Sequence, residues 1–149
     1  MFEGRMIDGK VDLNAVAMEL MARTAGEGGG ALVAFVGFVK GLVEGERVRS
    51  LNYEAYEPYA SRILDEIAKG YRGRPGVLGV VILHRRGELA PGEPTVYILV
   101  AAKDRKTAFA VASEVLERVK REPPIFKLEK REDGEYWIVG DGIRLKRAR

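Results

Sequence analysis

Two groups of cations in this chain are spaced in ways that chemistry could use. Lys120 and Lys127 bracket Pro123-Pro124. Lys120 falls in the last turn of an expected helix and Lys127 early in the strand that follows. A diproline makes a stiff corner, because each ring fixes its own φ and removes an amide donor. Both ammonium groups can therefore face one cavity. Each also has an ordinary reading: a cation at a helix C-terminus complements the macrodipole, and a strand lysine simply faces solvent. The second group is Lys103-Asp104-Arg105-Lys106-Thr107, where a strand gives way to a helix. Asp104 is a natural N-cap. Cations in a first helical turn meet the partial positive charge of the free amides. Either these side chains are solvated and tolerate that cost, or the amides, Arg105 and a lysine together hold an anion.

Composition narrows the remaining chemistry. The chain has 149 residues with 25 basic and 22 acidic side chains, a net charge of +3, no cysteine and one histidine, His84. The missing cysteine removes disulfides, thiolate nucleophiles and Cys-based metal sites. One histidine removes multi-His metal sites, so no metal or cofactor is expected, and lysine, arginine or carboxylate must carry any catalysis. His84 follows the apolar Val80-Val81-Ile82-Leu83 and reads as a structural hydrogen-bonder. Tyr53, Tyr56 and Tyr59 read as core and rim aromatics. No stretch is apolar enough to span a membrane and no secretion signal is evident, so the cytoplasm is the expected compartment. The basic run from Arg144 to Arg149, within a tail at 141–149, reads as a solvated end.

The elements that position these residues can be read from periodicity. Leu13, Val16, Ala17, Leu20 and Met21 predict a helix over 13–25, capped by Asp12 and closed by Gly26. Gly28-Gly29-Gly30 reads as a flexible connection, since the Lys-Ser/Thr of a phosphate loop is missing. Strands follow at 31–36 and 48–56, separated by a mobile loop at 41–47. Pro58 opens a second helix with the stripe Ala60, Ile63, Leu64, Ile67 and Tyr71. Strands at 77–83 and 95–102 come next, then a helix over 105–121 burying Ala108, Ala112, Val115, Leu116 and Val119. A hairpin, 125–130 and 135–139 with a turn at Asp133-Gly134, closes the order. Helix–strand–strand, three times over, is an (αββ)3 order and an α+β class, in a single domain over 1–149.

Five segments in this order look familiar: Gly37-Phe38-Val39-Lys40-Gly41; Tyr53-Glu54-Ala55-Tyr56; His84-Arg85-Arg86-Gly87-Glu88-Leu89 with Pro91-Gly92; Arg105-Lys106-Thr107-Ala108-Phe109; and Lys120-Arg121-Glu122-Pro123-Pro124-Ile125-Phe126-Lys127. With Trp137 they resemble the large, catalytic subunit of molybdopterin synthase, the MoaE family, over about residues 30–140. The resemblance implies an α/β hammerhead-like fold with an additional antiparallel β subdomain. It implies a homodimer at the core of a heterotetramer with a ubiquitin-like sulfur-carrier small subunit. The carrier's C-terminal Gly-Gly thiocarboxylate would enter a pocket and convert cyclic pyranopterin monophosphate to the molybdopterin dithiolene by two sulfur transfers.

By position, Lys120 and Lys127 match the family's active-site lysines and Arg105 its anion-binding arginine. Lys40 stands where an arginine is common, keeping the charge but losing the bidentate fork. Asp104 stands where some members carry histidine, which transfers part of the expected positive charge to Lys103 or Lys106. In the family a basic residue near the C-terminus reaches the neighbouring subunit's site, and Arg144 is a candidate for it. Sulfur arriving on a partner requires no thiol here, and cations suit both a cyclic phosphate and a developing oxyanion. Two other classes remain as alternatives: a basic nucleic-acid-binding module using the tail, Arg85-Arg86 and the tyrosines, and a non-catalytic adaptor for a ubiquitin-like partner. In the synthase reading neither nucleic acid nor membrane is a partner.

Overall fold

The computed structural model describes residues 1–139 and 142–148. The long elements keep the expected helix–strand–strand order, with strands added around it. In chain order they are β1 (Phe2–Ile7), α1 (Leu13–Thr24), β2 (Ala31–Phe38), β3 (Leu42–Val43), β4 (Glu46–Ala55) and α2 (Tyr59–Lys69). There follow β5 (Val77–Arg85), β6 (Gly87–Leu89), β7 (Pro94–Ala102), α3 (Arg105–Arg121), β8 (Ile125–Arg131), β9 (Gly134–Val139) and β10 (Ile143–Lys146). Four strands form a first sheet in the order β1-β5-β7-β2, with β1 parallel to β5 and the other pairs antiparallel. The second sheet runs β10-β9-β8-β4-β3, and β6 pairs with β4.

The first sheet is sandwiched between helices. Because strand side chains alternate between faces, Val80, Ile82, Ile98 and Val100 pack with Leu64, Ile67, Val111 and Val115 of α2 and α3. Val81, Leu83, Tyr97 and Leu99 take the opposite face, with Leu20 of α1. Strands β5 and β7 are thus buried on both sides, which is why they read as continuous apolar runs. A third cluster, Val39, Val43, Val48, Leu51, Tyr53 and Leu89, lies under the second sheet.

Four sequence expectations are revised. The tail is not wholly solvated, since Ile143–Lys146 pairs with β9 in register Ile143↔Val139 and Leu145↔Trp137; Gly140, Asp141 and Arg149 lie outside the described residues. Residues 41–47 are a short hairpin between β3 and β4, with Glu44 and Gly45 at positive φ and Val43 buried. The triple glycine is a close-packed turn: Gly28 sits at φ +91°, and a Cβ on Gly29 would lie 2.9 Å from the Thr24 carbonyl oxygen. Helix α1 ends at Thr24 and tightens into a 3-10 turn over Ala25–Glu27.

Strand β1 was not read from the sequence at all. It is an edge strand, and α2 covers its outward donors: the Gly4 amide donates to Asp65 Oδ1 at 3.2 Å and the Met6 amide to Ser61 Oγ at 3.1 Å. Exposed strand edges are templates for misassociation, so this side-chain capping closes one. The approach is close enough that a Cβ on Gly4 would collide with the Leu64 carbonyl. Gly4→Ala should therefore lower the unfolding free energy by about 2 kcal/mol or more, since backbone must move to admit the methyl. Gly9, which has nothing within 4 Å of such a methyl, is the control: Gly9→Ala should stay within about 0.5 kcal/mol. Urea unfolding of both variants measures the difference.

Candidate active site

A cavity of about 490 Å³ opens along the seam between the two sheets, closed on one side by the C-terminal half of α3. Each wall has a local origin. Leu116, Glu117 and Lys120 lie three and four residues apart on α3 and so share one face. Ile125, Lys127 and Glu129 alternate along β8 and share its inner face. Phe35, Phe38 and Lys40 come from the end of β2 and the turn beyond it, Tyr53 from β4, His84 from β5, Thr95 from β7 and Arg144 from β10. Pro123, buried in the corner between α3 and β8, lines the same space.

The diproline corner thus brings Lys120 and Lys127 to one cavity, and Lys40 joins them. Lys120 and Lys40 are exposed at the rim, whereas Lys127 is half-buried with its Nζ 5.6 Å from the centre of the Tyr53 ring. The ring's negative face attracts an ammonium at that range. Arg144, a candidate only through the family resemblance, is a fourth cation here. Its guanidinium donates to Glu129 at 2.9 and 3.2 Å and to the Gly142 carbonyl at 3.1 Å. Glu129 is only 3% exposed and also lies 3.8 Å from Arg131. A carboxylate buried this deeply requires such partners.

Lys103, Arg105 and Lys106 do not line this cavity. They lie at the opposite end of α3, exposed to solvent. Fifteen residues separate Arg105 from Lys120, about 22 Å along a helix axis. Asp104 caps the helix as expected, accepting from the Thr107 amide at 2.9 Å and its hydroxyl at 3.1 Å. These bonds hold its carboxyl below the usual carboxylate range.

His84 behaves as a buried structural imidazole. It is 4% exposed, and its Nδ1 lies 2.8 Å from the Arg85 carbonyl oxygen. A carbonyl only accepts, so Nδ1 carries the proton. Burial, with the positive charge of Lys127 adding to it, pushes the imidazole down to about 4. Tyr53 packs edge-on against it, with ring centres 4.9 Å apart at 66°. Tyr53 is core, whereas Tyr56 and Tyr59 are exposed and stack on each other at 5.3 Å. Tyr53, His84, Glu117 and Glu129 line the cavity but stood outside the sequence-derived site. Alternation in Ile143-Arg144-Leu145-Lys146 was the available signal for Arg144; Tyr53 and His84 each open a segment of the family resemblance, and nothing comparable marked Glu117 or Glu129.

The cations assigned to a nucleic-acid surface are engaged internally. Arg86 pairs with Asp8 at 2.6 Å, Arg147 with Glu135 at 2.9 Å, and Arg85 is buried, donating to the Pro94 carbonyl at 3.1 Å. Among the described residues no helix is long and apolar enough to cross a membrane.

Helices packed on both faces of a mixed sheet, with a cation-lined cavity at the seam to a second sheet, define an α+β scaffold suited to an anionic substrate. The profile of the MoaE protein family matches residues 6–122. A molybdopterin synthase catalytic subunit from Pyrococcus abyssi is 35% identical over 123 residues, 83% of each chain. The crystal structure of molybdopterin synthase from Staphylococcus aureus superposes with a TM-score of 0.79 at 31% identity, covering 91% of this chain and 96% of that one. A chain in the complex of subunits 1 and 2 of the molybdopterin-converting factor from Helicobacter pylori shares the fold, with a TM-score of 0.70 at 20% identity over 89% of this chain and 87% of that one. The chain belongs to the MoaE family, whose curated relatives are catalytic subunits of molybdopterin synthase.

The buried imidazole makes stability depend on pH with a definite sign. An unfolded histidine titrates near 6.5, and the folded one near 4. Between those values the unfolded chain binds the extra proton, so this contribution is complete above 6.5 and is lost as pH falls towards 4. Between pH 7 and pH 5 the loss should be about 2 kcal/mol. Urea midpoints at the two pH values should diverge less in His84→Gln than in the native chain.

Proposed function

We infer that this chain is the catalytic subunit of a molybdopterin synthase. It takes sulfur from the C-terminal thiocarboxylate of a ubiquitin-like small subunit and delivers it to cyclic pyranopterin monophosphate, in two transfers, forming the dithiolene. The observation that carries this reading is the convergence of Lys40, Lys120 and Lys127 on one cavity in a chain of this family. Both substrates are anionic, and a partly desolvated cluster of ammonium groups attracts them. In each transfer the thiocarboxylate sulfur bonds to the pterin, and water then adds to the acyl carbon. Negative charge develops on the carbonyl oxygen, where cations already fixed in place stabilise it without reorganising. The acyl C–S bond then breaks to leave the carrier as a carboxylate. Lys120 and Lys127 take that catalytic role, and Lys40 contributes to binding the phosphate. The chain's lack of cysteine fits a reaction whose sulfur is brought by the partner. The cytoplasm is the corresponding compartment.

Lys103, Arg105 and Lys106 enter this reading through a second copy. They lie about 22 Å along α3 from Lys120, so the homodimer lets one chain's helix start reach the other's cavity. The small subunit then docks on each half of that dimer, completing a heterotetramer.

Reconstitution tests the reading directly. Purified chain, thiocarboxylated carrier and cyclic pyranopterin monophosphate should together yield the dithiolene, detected after oxidation to a fluorescent pterin. Lys120→Ala and Lys127→Ala should each lower turnover by about a thousandfold, the order lost with an electrostatic donor at a transition state, while far-ultraviolet circular dichroism stays unchanged. Turnover retained in both variants would refute the assignment. Mixing Lys120→Ala with Arg105→Ala chains tests the shared site. Random dimers carrying one intact composite site should recover about a quarter of the native activity. No recovery would place both residues in the same subunit's site.

A further inference from the structure

We propose that Tyr53 is a positioning residue for sulfur transfer: its buried ring, held edge-on by His84, fixes where the Lys127 ammonium stands in the cavity. The proposal rests on the reading of Lys127 as catalytic and adds the device that places it. Lysine reaches its charge through four methylenes, and a catalytic ammonium free to sample all their rotamers spends most of its time off target. Here the geometry restricts it. Tyr53 on β4 and Lys127 on β8 are direct cross-strand partners, so their side chains leave the sheet on one face as immediate neighbours. The Lys127 Nζ lies 5.6 Å from the ring centre, within the range at which a π face attracts a cation.

The ring itself is held on two sides. His84 meets it edge-on at 4.9 Å, and Thr95 lies by the Tyr53 hydroxyl, drawing its titration down against the larger effect of burial. On the other flank of β4 its register partner is Gly87, which has no side chain to compete for the ring. Tyr53 is 6% exposed, so the platform cannot swing into solvent.

His84 has to be neutral for this to work, because an imidazolium this close would repel Lys127. Burial keeps it so, outweighing the Arg85 carbonyl, which accepts from Nδ1 and by itself favours the charged ring. The other charges on this cavity among the described residues, Lys40, Lys120 and Arg144 with Glu117 and Glu129, come from three other segments and from β8 itself. None of them supplies a rigid surface under Lys127 as the ring does.

The test uses the full chain with its thiocarboxylated carrier and pterin substrate, comparing Tyr53→Leu, Tyr53→Phe and Lys127→Ala. Tyr53→Leu removes the π face and should lower kcat about tenfold while KM for the carrier stays within about twofold. Tyr53→Phe keeps the face and should recover most of that loss. A second readout needs no turnover. His84 is the only imidazole in the sequence, so its side-chain nitrogen resonances at neutral pH are unambiguous. They should report an Nδ1-protonated neutral ring in the native chain and shift in Lys127→Ala. Native kcat in Tyr53→Leu beside an inactive Lys127→Ala would overturn the proposal. So would equal losses in the Leu and Phe variants that track the folded fraction, or a His84 signal unmoved by Lys127→Ala. Full activity in Lys127→Ala would instead overturn the assignment of Lys127 beneath it.

Discussion

Mutual repulsion among cations is the constraint to which the rest of this structure answers. Lys40, Lys120, Lys127 and Arg144 share one cavity. Two unit charges about 8 Å apart at a partly buried site repel by about 2 kcal/mol, so four of them form a standing cost. The fold offsets it locally. Glu129 engages Arg144 through two hydrogen bonds, the Tyr53 ring faces Lys127, and Lys120 sits at a helix C-terminus where positive charge is favoured. His84, in the same wall, adds no fifth charge because burial keeps it neutral. The remaining cost falls on the two apolar clusters flanking the first sheet, one of which reaches the cavity wall through Val96 and Val119. What is left over is a site that gains most when an anion enters it.

The mechanical link between those clusters and the cavity is α3. Its buried face, from Ala108 to Val119, packs on the first sheet, and its last turn carries Lys120 into the seam. Arg74 and Tyr71 both reach Glu114, at 2.9 and 3.1 Å, tying the segment after α2 to the middle of the same helix. The diproline corner then turns the chain into β8, and the Tyr56 amide donates to the Pro124 carbonyl at 3.0 Å. A short, doubly anchored corner transmits little play, which is why two lysines seven residues apart can be held against one small volume.

Much of this was legible because the relevant signals are local. Helical periodicity located α1, α2 and α3, Asp12 and Asp104 cap as their positions require, and the diproline marked the corner between the two lysines. Illegible features depend on partners distant in sequence. Strand β1 reads Phe-Glu-Gly-Arg-Met-Ile, with two charges and a glycine, and becomes a strand through parallel pairing with β5 and capping by α2. The last strand was hidden by its basic character, although its apolar and basic residues alternate. The cations at the start of α3 and those at its end looked equivalent in sequence, and only the length of the helix separates them. The Tyr53–His84 contact joins β4 to β5 across the seam, so neither residue carried a mark of it.

The chemistry available to this chain follows from what its side chains can and cannot do at neutral pH. It has no thiol, and its one imidazole is buried with its proton committed to a backbone carbonyl. Tyr53, the phenol nearest the lysines, is pushed above its ordinary range by burial and cannot supply an anion. Glu129 is occupied by arginine. Among the described residues of the cavity that leaves Glu117 as the other carboxylate and the ammonium groups as the dominant charge. A site so equipped is poor at initiating attack and well suited to stabilising negative charge that a partner brings. The nucleophile must then be part of the incoming group, and what the chain offers that group is a field of fixed positive charge.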